Sequence, residues 1–308
     1  MFPIIPANSV TAASGNDNGI FLFGDAGGYT GVSNIVSNTG VVASDVAAVA
    51  TGKVYMGATE YGGDKGISAF GIYTGMINTN YQNLISNVGV VASDTAGVGT
   101  ARRMTGACRY GTDTAIYAFG AGAGGDKDVS NLVSNTGVVA SDTAGVGTAR
   151  NSVLGAEFGT DQGIMAYGTT GVFVTTRNLV SNVGVVASDA SGAGVARGWS
   201  WGCDYGEDTA IFAFGYDGAW AVIGESNLVS NTGVIASDTA AVGTARAGAS
   251  ACEYGQDKGI FGFGTTGVGG TVAGRTNITN LVSNTGVIAS DVSGVGTSRF
   301  YIAGCSFN

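Results

Sequence analysis

Apolar and polar positions along the chain follow a short period-two pattern broken by glycine, and they do so at a fixed long period. Segments such as "AIYAFG" (residues 115–120) are apolar on both faces, about five residues long and closed by Gly, as expected for a strand buried on both sides. Each is preceded by a stretch like "YGTDTA" (residues 110–115), whose Gly and Asp predict a hairpin turn. A further strand runs from the "TAR" triplet to the "YG", and "NLVSNTGVVASD" reads as two short strands separated by Gly. No helical periodicity competes, so the chain is expected to be all β.

This pattern recurs six times. The apolar block opens at Gly19, Gly66, Ala115, Gly163, Ala210 and Gly259, with spacings of 47, 49, 48, 47 and 49 residues. The "NLVSN" block opens at Asn34, Asn83, Asn131, Asn178, Asn227 and Asn280, and from each of the first five to the next closing Gly is 37 residues. Length variation is therefore confined to six inserts, residues 25–33, 72–82, 121–130, 169–177, 216–226 and 265–279. Four short strands in about 48 residues match the period of a β-propeller blade, and six units would close a ring over a single domain, residues 1–308.

Both chain ends carry copies of the strand that follows "TAR". Residues 297–308 copy it well and residues 6–15 in degenerate form, so this strand occurs seven times and its partners six. Ring closure by a terminal strand explains the surplus, because it removes exposed sheet edges. The C-terminal copy is expected to pair into the first blade, with the N-terminal copy either displaced or completing that blade itself.

The order Arg, variable strand, turn, "I-x-x-F-G", loop, "N-L-V-S-N-x-G-V-V-A-S-D" resembles a kelch-type blade. More closely, the wording "SNTGVVASDTAGVGTAR…YGTDTAIFAFG" is similar to kelch-like repeat proteins encoded among the structural genes of tailed phages, marine ones especially. That resemblance implies a virion protein (tail, fibre or head appendage), assembled in the host cytoplasm, with other virion proteins or a bacterial surface receptor, protein or glycan, as partners. A soluble carbohydrate-binding lectin is the alternative, and a propeller hydrolase a more distant one.

Composition narrows the chemistry. The 308 residues include 55 Gly, 2 Pro and no His, and 11% are charged, against a usual ~25%. Without His, Ser-His-Asp triads and His-ligated metals are excluded. A net charge of -9 without a basic cluster repels phosphate backbones, so nucleic acid is not an expected partner. No apolar run is long enough to span a membrane, and "MFPIIPANSV" lacks a secretory signal's basic start, so no membrane insertion or general secretory export is expected. The chain reads as non-enzymatic, with no cofactor: Arg residues recur at one repeat position and do not converge, and no acid pair is evident.

Repeated charges read as scaffold. Asp45, Asp94, Asp142, Asp189, Asp238 and Asp291 each precede a cation by eight residues, namely Lys53, Arg102, Arg150, Arg197, Arg246 and Arg299. Six copies suggest a bidentate Arg-carboxylate clamp within or between blades, weakest at Lys53. Asp17, Asp64, Asp113, Asp161, Asp208 and Asp257 fall in the hairpin turns, where Asp bonds its own backbone; no D-x-D-x-D-G loop accompanies them and no tightly bound metal is expected. Cys108, Cys203, Cys252 and Cys305 share one slot of the repeat, which predicts free, packed thiols.

Recognition is expected where the repeat breaks. The inserts join the same two strands in every unit and so emerge on one face, where Tyr29, Tyr73, Tyr81, Phe173, Tyr216 and Trp220 supply exposed aromatics. Trp199 and Trp201, two apart in the repeated strand, are expected on one face of a sheet as filling between blades.

Overall fold

A computed structural model describes residues 17–47, 49–268 and 273–307. Among them there is no α-helix, and the architecture is all β. Six antiparallel sheets of three strands carry the six repeats, an arrangement compatible with a β-propeller-like fold. The "GIxxF" block forms the middle strand in each, for example Thr114–Ala118 between Gly106–Tyr110 and Ser130–Val133. Its double-sided apolar pattern follows from this place: Ala115, Ile116, Tyr117 and Ala118 are all buried.

The C-terminal copy of the repeated strand, Ala303–Phe307, pairs antiparallel with Asn18–Leu22, which itself pairs with Ser33–Val36. The two ends of the described chain thus share one sheet. The N-terminal copy, residues 6–15, lies outside the described residues. First strands also touch from sheet to sheet, in the order Ala303–Phe307, Gly57–Tyr61, Gly106–Tyr110, Leu154–Phe158, Gly202–Tyr205, Ser250–Tyr254 and again Ala303–Phe307.

The expected fourth strand is reduced to two isolated bridges. In the first repeat these are Val36↔Val42 and Ser33↔Val46, and each later repeat has the equivalent pair. Between the bridges the ladder opens because the buried Asn of each repeat inserts its side-chain amide: Asn34 Nδ2 donates to the carbonyl of Ala43 and to Asp45 Oδ1, both at 2.9 Å.

Two backbone features repeat that no propensity predicts. The aromatic closing each middle strand is left-handed, with Phe23, Phe70, Phe119, Tyr167, Phe214 and Phe263 at φ between 60° and 68°. Two residues after each cation, Tyr55, Met104, Ser152, Trp199, Gly248 and Tyr301 are left-handed as well. Such a conformation costs a bulky residue ~1–2 kcal/mol, offset here by long-range bonds. Met104 N–H donates to Tyr55 O (2.7 Å), Ser152 to Met104 (3.0 Å), Gly248 to Trp199 (2.6 Å), Tyr301 to Gly248 (2.8 Å) and Tyr55 to Tyr301 (3.3 Å). Adjacent repeats are thereby stitched main chain to main chain.

Candidate binding face and central cavity

The repeated ions are the scaffold on which any site rests. Arg102, Arg150, Arg197, Arg246, Arg299 and Lys53 are all fully buried. Of the two arrangements left open, within or between blades, the ion pairs take the first, joining each Arg to the Asp that follows the Asn of its own sheet and not to the Asp eight residues before it. Arg102 lies 3.8 Å from Asp142, Arg150 3.8 Å from Asp189, Arg197 3.3 Å from Asp238 and Arg299 3.8 Å from Asp45. Arg246 has Asp291 and Lys53 has Asp94 as charged neighbours. The reason is topological: an eight-residue stretch from Asp to cation crosses from one sheet to the next, so its ends belong to different repeats.

Nor is the Arg-carboxylate contact bidentate. Arg102 Nη2 donates to Asn131 Oδ1 (2.6 Å), Nε to the carbonyl of left-handed Phe119 (2.8 Å) and Nη1 to Thr100 O (3.2 Å). Asn131 Nδ2 then donates to Asp142 Oδ1 (2.9 Å), whose other oxygen accepts the N–H and hydroxyl of Thr100. Motifs far apart in the chain, "TAR", "NLVSN" and "SD", thus close one network. At the chain ends it joins Thr297 to Asp45 and Arg299 to Asn34, Phe23 and Thr297. Each cation also covers an aromatic ring of the preceding repeat, Arg102 on Phe70 at 4.0 Å and Arg246 on Phe214 at 3.9 Å. Burial pulls Arg102, Arg150, Arg246 and Arg299 down to about 10. At Asp45, Asp94, Asp142, Asp189 and Asp291 burial opposes ionisation, but hydrogen bonds from Thr and Asn outweigh it and hold the carboxyls below their ordinary range.

The turn aspartates also act across the structure. Asp113 Oδ2 accepts from Asn135 of its own repeat (2.9 Å), and its main-chain carbonyl accepts the N–H of Gly62 in the preceding one (2.7 Å). Asp161, Asp208 and Asp257 repeat both contacts, Asp64 the Asn contact and Asp17 the main-chain contact. Among the described residues no group of His, Cys, Asp or Glu is arranged to hold a metal ion.

On this frame the inserts touch one another or the start of the next repeat. Arg275 pairs with Asp25 (3.4 Å), Tyr29 OH reaches Met76 Sδ (3.5 Å), Arg103 donates to Asn78 (2.9 Å) and Asn151 to Asp126 (2.8 Å). Of the six aromatics expected to be exposed, Tyr81 (39%) and Trp220 (44%) are, and Tyr29, Tyr73 and Phe173 are half-buried. Tyr73 and Tyr81 stack edge to face at 5.7 Å. Tyr216 is a correction: it is fully buried, because the fifth insert continues the hairpin as Thr209–Tyr216 and Val222–Val229 and its hydroxyl donates to Gly267 O (2.8 Å).

At the tip of that hairpin Asp217 Oδ1 accepts the N–H groups of Ala219 and Ala221, both at 2.9 Å, and this turn presents Trp220. Trp220 packs on Trp199 (4.8 Å), Phe173 (5.3 Å) and Tyr216 (5.7 Å). Neither Trp199 nor Trp201 lies in a strand, so the shared sheet face expected of them does not apply. Left-handed Trp199 joins the insert aromatics, Trp201 packs against the core that holds Phe214 and Phe261 between two sheets, as expected of a filling residue, and both line one small cavity. Trp199 leaves its expected place because period two holds only within a strand.

The second feature is a cavity lined by all six first strands. Seven residues after each cation stand Glu60, Arg109, Glu157, Asp204, Glu253 and Ser306, and all six line it. The expectation of no convergent acid pair is overturned, whereas a single arginine, Arg109, joins the acids: a position that looked variable along the chain is brought together by the repeat. Arg109 binds Glu157 through Nε and Nη2 (3.0 Å for the latter) and lies 3.4 Å from Glu60. Asp204 Oδ1 accepts the main-chain N–H of Glu157 (2.8 Å), and Ser306 Oγ accepts that of Glu253 (2.7 Å). Burial works against the Arg109 charge, but Glu157 and Glu60 together hold its guanidinium above the usual value. The four cysteines are free and buried, and burial pushes every thiol up.

No family model matches this chain, and no curated protein matches it.

Proposed function

We propose that the chain is a closed six-bladed, kelch-like β-propeller, joined by its C-terminal strand, that serves as a non-enzymatic recognition protein of a tailed-phage virion. Closure is supported by the cyclic order of first-strand contacts and by the bonds from Arg299 and Thr297 to Asn34 and Asp45. The virion setting rests on the wording of the repeat. On this reading the inserts bind a bacterial surface receptor or another virion protein, while the repeated ions and asparagines keep the face rigid.

The observation that carries the recognition role is the aromatic group of Phe173, Trp199 and Trp220, set on a hairpin tip with Trp220 44% exposed. Aromatic anchors held rigid by neighbours lose little entropy on binding and dominate interface energetics. These rings gather in the fourth and fifth repeats instead of recurring in all six, which favours one footprint over six equal sugar pockets. A hydrolase is disfavoured because Glu157 is engaged by Arg109 and the thiols are held protonated.

Labelled protein incubated with intact marine bacterial cells, alongside a glycan array, tests the reading. Trp220→Ala is expected to weaken cell binding about tenfold or more with an unchanged melting curve. Unaltered binding by that variant sinks the assignment of this face, and equal multivalent sugar binding would favour the lectin.

A further inference from the structure

The six left-handed residues that follow the cations, Tyr55, Met104, Ser152, Trp199, Gly248 and Tyr301, all line one cavity. Trp201 lines it too and also borders the carboxylate-lined cavity, so this indole stands between the two. Main-chain bonds such as Met104 to Tyr55 and Tyr301 to Gly248 hold the rim in place ahead of any ligand. The rim opens on the insert side, since Trp199 packs on Trp220 at the tip of the fifth insert. Its backbone repeats six times but its side chains do not: Tyr55 and Tyr301 stack at 4.2 Å, the indoles lie to one side, and Ser152 and Gly248 leave the space these rings border. Tyr55, Met104, Trp199, Trp201 and Tyr301 are half-buried, so the walls of this shallow cup are within reach of a ligand.

Two donors in the cup are left over. The indole nitrogens of Trp199 and Trp201 are both buried without a hydrogen-bond partner, a state that favours any occupant bringing acceptors. No carboxylate, ammonium or guanidinium lines the cup, so an ionised group placed there would go uncompensated. Flat aromatic faces, unpaired donors and the absence of charge together fit an uncharged ring with one apolar face and several acceptor oxygens.

We propose that this cup binds one neutral sugar ring, its apolar face on Tyr55, Trp199 and Tyr301 and its oxygens accepting from the Trp199 and Trp201 indoles after small shifts of those rings. The inference names the ligand class of the insert face, and it rests on the recognition reading above for that face being the one that meets a receptor. Because these side chains occur once around the rim, each chain offers one such site.

All three tryptophans of the chain stand at this mouth, so intrinsic emission of the full-length protein reports on it. Titration with methyl glycosides of glucose, galactose, mannose and N-acetylglucosamine, with glucuronate and choline as charged controls, tests the proposal. At least one neutral glycoside is expected to shift the emission saturably with one site per chain, and the controls are not. Trp201→Phe keeps a ring but loses the donor and should weaken that binding about five- to tenfold; Trp199→Phe should do the same and serves if the first variant does not fold. Saturation by no neutral glycoside, saturation by a charged control in its place, or wild-type affinity in both variants overturns the proposal. If no sugar binds but Trp220→Ala still weakens attachment to cells, the sugar site falls and the recognition reading stands. Sugar binding by a protein that attaches to no cells supports the site and removes that reading.

Discussion

Lys53 is where the six-fold network is least well served. Its Nζ reaches Asn83 Oδ1 at 2.6 Å and stands 4.9 Å over Phe23, but an ammonium has no second arm for a main-chain carbonyl. In four of the five arginine repeats that arm is Nε bonded to the carbonyl of the left-handed aromatic, as Arg150 bonds Tyr167 at 2.9 Å. Lys53→Arg is therefore expected to stabilise the fold by ~1–2 kcal/mol, read as a higher midpoint in denaturant, since bonds to charged groups contribute on that order. The wild type should also respond to alkali. Burial pulls Lys53 down to about 8, so between about pH 8 and about 10.5 the unfolded chain holds a proton that the folded protein does not. Stability from this residue accordingly rises with pH across that window, by ~3 kcal/mol in total, and the rise should vanish in Lys53→Arg. An unchanged pH profile in the variant refutes the account.

Between elements, the packing follows a rule of small facing large. A Cβ placed on Gly163 would lie 2.3 Å from Cys108 Sγ, on Gly259 2.5 Å from Cys203, on Gly19 2.4 Å from Cys252 and on Gly66 2.6 Å from Cys305. The remaining two middle strands open with Ala115 and Ala210, in repeats whose neighbours carry Thr59 and Ala156 in the cysteine slot. The alternation of Gly and Ala at the head of the apolar block is thus the imprint of the preceding sheet. Gly66→Ala should cost ~1–3 kcal/mol through overpacking. Cys305→Ala should recover much of that loss in the double variant, with a coupling of ~1 kcal/mol or more. Additive effects would show that the last strand does not abut the second repeat. Within a repeat, the gap between the third strand and its outer segment is filled by a buried Asn side chain, which explains why two predicted strands appear as one strand and a pair of bridges.

For the whole molecule, the last twelve residues carry an unequal share. They supply the third strand of the first sheet, the Thr297 bonds to Asp45 and the Arg299 bonds to Phe23 and Asn34. Deleting residues 297–308 uncovers the edge of Asn18–Leu22 and opens contacts with both the second and the sixth repeats. Such a truncation is expected to lose cooperative unfolding in calorimetry, and a peptide of residues 297–308 added in trans should restore it. A truncated protein that melts as one sharp transition at the wild-type temperature contradicts this.

All-β character, the six-fold period, the confinement of length variation to one insert per repeat and the shared chemistry of the Asp, Arg and Cys positions were legible in the chain, because they follow from local rules repeated six times. Partner choice was not. Whether Arg102 meets Asp94 or Asp142, whether Tyr216 faces water or the core, and whether Glu60, Arg109, Glu157, Asp204 and Glu253 are scattered or gathered depend on which sheet lies beside which. Burial and electrostatics act through space, and residues about 48 apart in the chain become neighbours only once the strands have packed.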